Sequence, residues 1–218
     1  MSSARCRMRN ARAQGFRIVH FALCTASGRG YSLLELMFAA ALCVTVGAVA
    51  APQLLSAVDE VRAAGAVRYV SIRLHQARME AVGRSADVGV QFVQTSDGYA
   101  YAVYVDGNGN GVRTLDIQRG LDQRIASVER VPDQFAGVDF GVLAGLPPVD
   151  AGSPAPGTDP IKLGSSKILT FSALGTSSSG SLYLLGRGNS QYVIRILGET
   201  GKTRVLKFDS RAQQWKPS

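Results

Sequence analysis

Glu35 is the only charged side chain in the 21-residue run 31–51, YSLLELMFAAALCVTVGAVAA. A carboxylate inside a membrane helix costs about 2.5–3.5 kcal/mol on insertion scales, so it needs a partner or a purpose. An amine is the natural partner. A chain cut before Tyr31 supplies one four residues away, to its own Glu35 or to a neighbour's. The plainer alternative is an acid reaching the interface from the end of an ordinary anchor. A second constellation is Asp106-Gly-Asn108-Gly-Asn110-Gly. It resembles the first half of a calcium loop, with side-chain oxygens at positions 1, 3 and 5 and glycine at 6. Asp116 falls at position 11, and Ile117 stands where a bidentate Glu is expected at 12. Asn-Gly repeats also make tight, metal-free turns, and both readings stay open. A third is the basic C-terminal end: Lys202, Arg204, Lys207, Arg211 and Lys216 against Asp209. It is either a solvated strand and tail or a phosphate-contacting surface. The single histidine beyond residue 30, His75, sits among Arg73 and Arg78 and has a solvated or capping role. General acid–base, nucleophilic and zinc chemistry lack their parts. The sequence is therefore read as non-enzymatic and without a required cofactor.

These residues need elements to position them. At about 1.5 Å rise per residue, the apolar run is long enough to cross the roughly 30 Å hydrocarbon core. A cleavable secretory signal would have a shorter apolar region, with its cut site after it; here the candidate site precedes the run. Residues 1–30 carry six arginines and no acid. Without them the net charge falls from +8 to +2, because Lys+Arg drops from 24 to 18 against 16 Asp+Glu. Most of the basicity thus belongs to a segment read as a leader, held on the cytoplasmic side. Met8 is an alternative start. Cys6, Cys24 and Cys43 leave no cysteine pair in the body, hence no disulfide framework.

Residues 53–82 continue helical. Leu54, Val58, Val61, Gly65, Tyr69, Ile72 and Met79 recur at steps of three, four or seven, which predicts one apolar stripe. Gly83 is the expected stop, and Pro52 an expected bend. From residue 87 the period becomes two. Segments 88–94 and 99–105 flank the hairpin signal Thr95-Ser96-Asp97-Gly98. Further strands are expected at 124–131, 138–142, 168–171, 181–185, 192–197 and 203–208, with a turn at 198–201. Residues 147–160 hold five of the eight prolines and read as an exposed loop. The predicted class is α+β: a long N-terminal helix packed on a C-terminal antiparallel β-domain. The expected division is a leader (1–30), a transmembrane helix (31–52), an amphipathic continuation (53–83) and a β-rich domain (84–218).

The string GRG-YSLLELMFAAALCV resembles the type III signal of type IV pilins and type II secretion pseudopilins. The resemblance implies that a prepilin peptidase cuts between Gly30 and Tyr31 and that Tyr31 becomes N-methylated. It also implies that Glu35 and Pro52 serve assembly. The chain further resembles the GspH/FimT family of minor pseudopilins and minor pilins, through QARMEA (76–81), ILTFSALGTSSSGSLYL (168–184) and the terminal GKTR (201–204). That resemblance implies a pilin-like fold, other pilin or pseudopilin subunits as partners, and a single pass through the bacterial inner membrane with the C-terminal domain in the periplasm or at a filament tip. The implied function is a structural subunit of a type II secretion pseudopilus. The alternative is a FimT-like minor pilin of a type IV pilus. Members linked to DNA uptake carry Gly-Arg-x-Arg at this end. Here Lys202 replaces the first Arg, which keeps a point charge but loses the bidentate fork, and Arg204 keeps the second.

Overall fold

One helix, α1, runs from Leu33 to Arg84 in the computed structural model, which describes residues 31–150 and 152–218. Residues 1–30, read above as a leader and including Gly30, lie outside the described residues. The chain divides into a unit ending at Thr45 and a unit from Val46 to Ser218. In the first, the apolar side chains Leu33, Leu34, Met37, Phe38 and Leu42 are all exposed. Among the described residues one helix is long and apolar enough to cross a membrane. The helix remains continuous through Pro52. It also passes through Gly83, the expected stop. It ends instead where Ser85 turns left-handed (φ 51°) and the Ala86 N–H bonds back to the Ala81 carbonyl.

In the second unit the face α1 buries is not the predicted one. Ala63, Ala66, Val67, Val70, Leu74, Ala77 and Ala81 are buried, whereas Leu54, Val58, Val61, Ile72 and Met79 stay exposed. The expectation followed side-chain bulk. The seam follows closeness of approach: alanines let the helix backbone come down onto the sheets, and a Cβ on Gly186 would meet the Ala63 Cβ at 2.8 Å. Of the predicted stripe, Gly65 and Tyr69 are half-buried, both near Phe135.

Two antiparallel sheets complete this unit. Sheet A joins β1 (Val88–Thr95), β2 (Gly98–Val105), β3 (Gln123–Arg124), β4 (Glu129–Arg130) and β7 (Ile168–Phe171). Its order is β3-β2-β1-β7, with β4 also pairing β2. The predicted hairpin is present, with Thr95 opposite Gly98 and Gly98 at φ 114°, a conformation that favours glycine. Sheet B joins β5 (Asp139–Phe140), β6 (Ile161–Lys162), β8 (Gly180–Leu185), β9 (Gln191–Leu197), β10 (Lys202–Asp209) and β11 (Gln214–Pro217). Its order is β11-β10-β9-β8-β5, with β6 also pairing β8. The helix seam and the inner faces of both sheets form one core that includes Val67, Leu74, Val88, Leu169, Phe171, Leu182, Leu184, Ile194 and Ile196. Each such side chain contributes about 1.5–3 kcal/mol by leaving water.

Two expected strands shorten, and some elements were not foreseen. The strand expected at 138–142 pairs only at Asp139–Phe140. The predicted strand 124–131 is only the two short pairings β3 and β4, with Val131 opening a turn of helix, α3 (Val131–Gln134), that has Pro132 near its start. A short helix, α2 (Thr114–Arg119), follows the Asn-Gly loop. The tail is also a strand: Trp215 of β11 stands opposite Phe208.

Candidate functional site

Glu35 lies in the first turn of α1 and is exposed, and its N–H bonds to the Ser32 carbonyl at 2.9 Å. Tyr31, which would become the first residue after processing, is 76% exposed. Among the described residues nothing pairs with the Glu35 carboxylate. The apolar surface around it is equally uncovered: Leu33, Leu34, Leu36, Met37 and Phe38 each remain more than half exposed. Soluble monomers rarely leave so large an apolar surface in water. Its chemistry suits lipid or the helices of neighbouring subunits.

In the β-domain, the hairpin β9–β10 presents Lys202 and Arg204 on one face of sheet B, both exposed. Lys202 stands opposite Leu197, and Arg204 opposite Arg195. Arg195 is a residue that sequence reasoning missed, because only strand register brings it beside Arg204. Trp215 is half-buried. Its indole N–H donates to the Pro147 carbonyl (3.0 Å), and the ring packs on Phe208 and Tyr183 with centroids at 5.3 and 6.2 Å.

The Asn-Gly loop is held by its own backbone. Asp106 accepts from the N–H groups of Asn108 (3.0 Å), Gly109 (2.9 Å) and Gly111 (2.6 Å). Burial pushes its carboxyl up, but these bonds more than reverse that and hold it below the usual range. Asn108 Oδ1 accepts from Asn110 N (3.2 Å), and Asn110 Nδ2 donates to buried Asp116 (3.1 Å). A further buried carboxylate, Asp122, accepts from Gly107 N (3.2 Å) and Arg113 N (3.0 Å). The four predicted oxygen residues are therefore neighbours, but most of the oxygens named here already accept hydrogen bonds. Among the described residues no group of three or more His, Cys, Asp or Glu side chains gathers to hold a metal ion.

A polar cluster between α1 and sheet A was not legible in the sequence. Glu129 of β4 accepts from Tyr69 Oη (2.8 Å), Tyr101 Oη (2.9 Å) and Arg73 Nε (3.0 Å), and forms an ion pair with Arg73 Nη2. Burial raises the Glu129 carboxyl, and the bonds from Arg73, Tyr69 and Tyr101 outweigh it, leaving it below its ordinary value. Burial and the bond to Glu129 hold the Tyr101 hydroxyl far above its usual range. Beside the cluster opens a cleft of about 400 Å³ lined by Gln76, Met79, Val103, Ile125 and Glu129 among others. His75 borders it and is exposed. Nothing in this arrangement resembles a nucleophile with its base. It is a clamp that ties α1 to β4.

A search of curated proteins finds no match. Two solved structures resemble the chain. One is described as the minor pseudopilin EpsH from the type 2 secretion system of Vibrio cholerae, with 17% identity over 67% of this chain and 97% of that one, at a TM-score of 0.41. The other is a crystal structure of the same minor pseudopilin, with 14% identity over 73% and 96% and a TM-score of 0.37. The family model described as Type II transport protein GspH matches residues 66–201. Those residues run from the buried seam of α1 through sheet A and strands β5, β6, β8 and β9 of sheet B to the β9–β10 turn, more than half of the chain, and so the protein belongs to the GspH family of type II transport proteins.

Proposed function

We propose that this protein is a minor pseudopilin, a structural subunit that assembles with other pseudopilins in a type II secretion pseudopilus. The observation that carries this reading is the joining, in one chain, of a GspH β-domain to a helix whose apolar N-terminal portion is wholly uncovered. A prepilin peptidase cuts between Gly30 and Tyr31. The basic leader stays in the cytoplasm, and residues 31–52 anchor the subunit in the inner membrane until assembly. The β-domain is periplasmic. Glu35 then takes the amine of Tyr31, its own or a neighbour's. In the assembled filament the exposed Val58, Val61, Ile72 and Met79 face neighbouring helices. The role is mechanical rather than catalytic, and it needs no cofactor. The Asn-Gly loop is a turn closed by Asp106 rather than a calcium site. The test is incorporation: a tagged Glu35→Ala subunit should enter sheared pseudopili far less than wild type. Equal incorporation would sink the role of Glu35.

A second reading, a FimT-like minor pilin that contacts DNA, is favoured by one observation: Lys202 and Arg204 are exposed on one face. Such contacts would be salt-sensitive and blind to sequence. Replacing both with Ala should then weaken binding to every DNA alike.

A further inference from the structure

The outer face of sheet B is built in two halves. At one end Tyr183, Val193 and Leu206 form an apolar patch packed against Val142, Val149 and Trp215. The strap that supplies Val142 and Val149 reaches Asp150, whose carboxylate meets Arg195 Nη2 at 2.7 Å. At the other end the strand register lines up Lys162, Ser181, Arg195 and Arg204 on four neighbouring strands. Lys202 lies two residues along β10 from Arg204, on the same face. Lys162, Lys202 and Arg204 are exposed.

This end has features that folding alone does not call for. Arg195 and Arg204 stand directly opposite each other, and like charges so placed destabilise a sheet. Arg195 Nη1 donates to Ser181 Oγ (2.9 Å), yet its Nε is buried with no partner among the described residues, a position that costs desolvation energy unless an acceptor arrives. Beside these groups lies a cleft of about 310 Å³ lined by Val149, Asp150, Pro154, Lys162, Tyr183 and Arg195, among others.

We infer that this cleft and cation row form a docking site for an acidic, extended segment of another protein, whose carboxylates are received by Arg195, Arg204, Lys202 and Lys162. Two observations favour carboxylates over nucleic acid. The site already binds one carboxylate, that of Asp150. The aromatic rings of this face pack on one another, Trp215 on Phe208 and Tyr183 with its indole hydrogen-bonded, which leaves a base little to stack on. Alternate side chains of an extended segment fall about 6.6–6.8 Å apart, the same step that separates Lys202 from Arg204 along β10.

The full chain in neutral-detergent micelles, titrated with poly-glutamate, tests this. Its single tryptophan, Trp215, packs on the same face and reports binding by fluorescence. Saturable binding that weakens with salt is expected. Lys202→Glu with Arg204→Glu should weaken it about tenfold or more. Lys162→Glu, on a different strand, should weaken it too, and neither variant should lower the unfolding midpoint, Arg204→Glu placing an opposite charge across from Arg195. No saturable binding, or unchanged binding by both variants, would overturn the proposal. So would tighter binding of single- or double-stranded DNA than of poly-glutamate at the same salt and charge concentration, which would assign the face to nucleic acid.

Discussion

Glu129 ties α1 to sheet A through Tyr69 and Arg73, and with Tyr101 three residues donate to its carboxylate. Its carboxyl is depressed in the folded state. The stability it contributes is therefore fully present above its unfolded value of about 4.3. That stability is lost as pH falls through the lower folded value. We expect Glu129→Gln to destabilise the protein at pH 7 by about 1–3 kcal/mol and to flatten the loss of stability on acidification below about pH 4.3. Denaturant unfolding at pH 7 and at pH 3 checks this; equal acid slopes for the two proteins would refute it. Asp106 makes a parallel case in the Asn-Gly loop. Asp106→Ala removes the acceptor for three backbone N–H groups, and should also cost about 1–3 kcal/mol, equally with chelator or with added calcium. A wild-type midpoint that rises with calcium while the variant's does not would make the loop a metal site instead. These residue types were visible in the sequence. Their partners were not, since Glu129 meets Tyr69 and Arg73 across 60 and 56 residues.

At the scale of elements, the long helix presents two surfaces with different work. Its alanine seam is spaced for contact with the sheets, and Ala66 is fully buried. Ala66→Leu should overpack that seam and destabilise by about 1–3 kcal/mol. By contrast Ile72→Ala with Met79→Ala, on exposed positions, should change stability by no more than about 0.5 kcal/mol each while lowering incorporation into pseudopili. Thermal unfolding and a shear-fraction assay separate the two effects. If the exposed pair proves as destabilising as Ala66→Leu, the assignment of faces is wrong. The sequence showed that 53–82 is helical, because apolar residues recur at helical steps. It did not show which of two competing stripes is buried. Bulk favoured Leu54–Met79, and the sheets selected the smaller side chains because these let the backbones approach. The long strands β1, β2, β8, β9 and β10 were legible from alternation. The pairings β3, β4, β5 and β6 are two residues long, too short for any period to register.

For the whole molecule, the proposed route runs from leader to membrane to filament. Intact mass of membrane-extracted protein should show loss of residues 1–30 and gain of one methyl group. A full-length mass, or a cut after Ala51, would refute the processing step. The sequence by itself determined the apolar run and its lone Glu35, the six arginines and absence of acids in residues 1–30, and the change from helical to alternating period near residue 87. These are local properties, fixed by composition and spacing along the chain. Only the tertiary structure decided that Arg195 lies beside Arg204, that Trp215 packs on Phe208 and Tyr183, and that Glu129 clamps α1. Each of these depends on strand register or on contacts between residues distant in sequence, which no local pattern encodes.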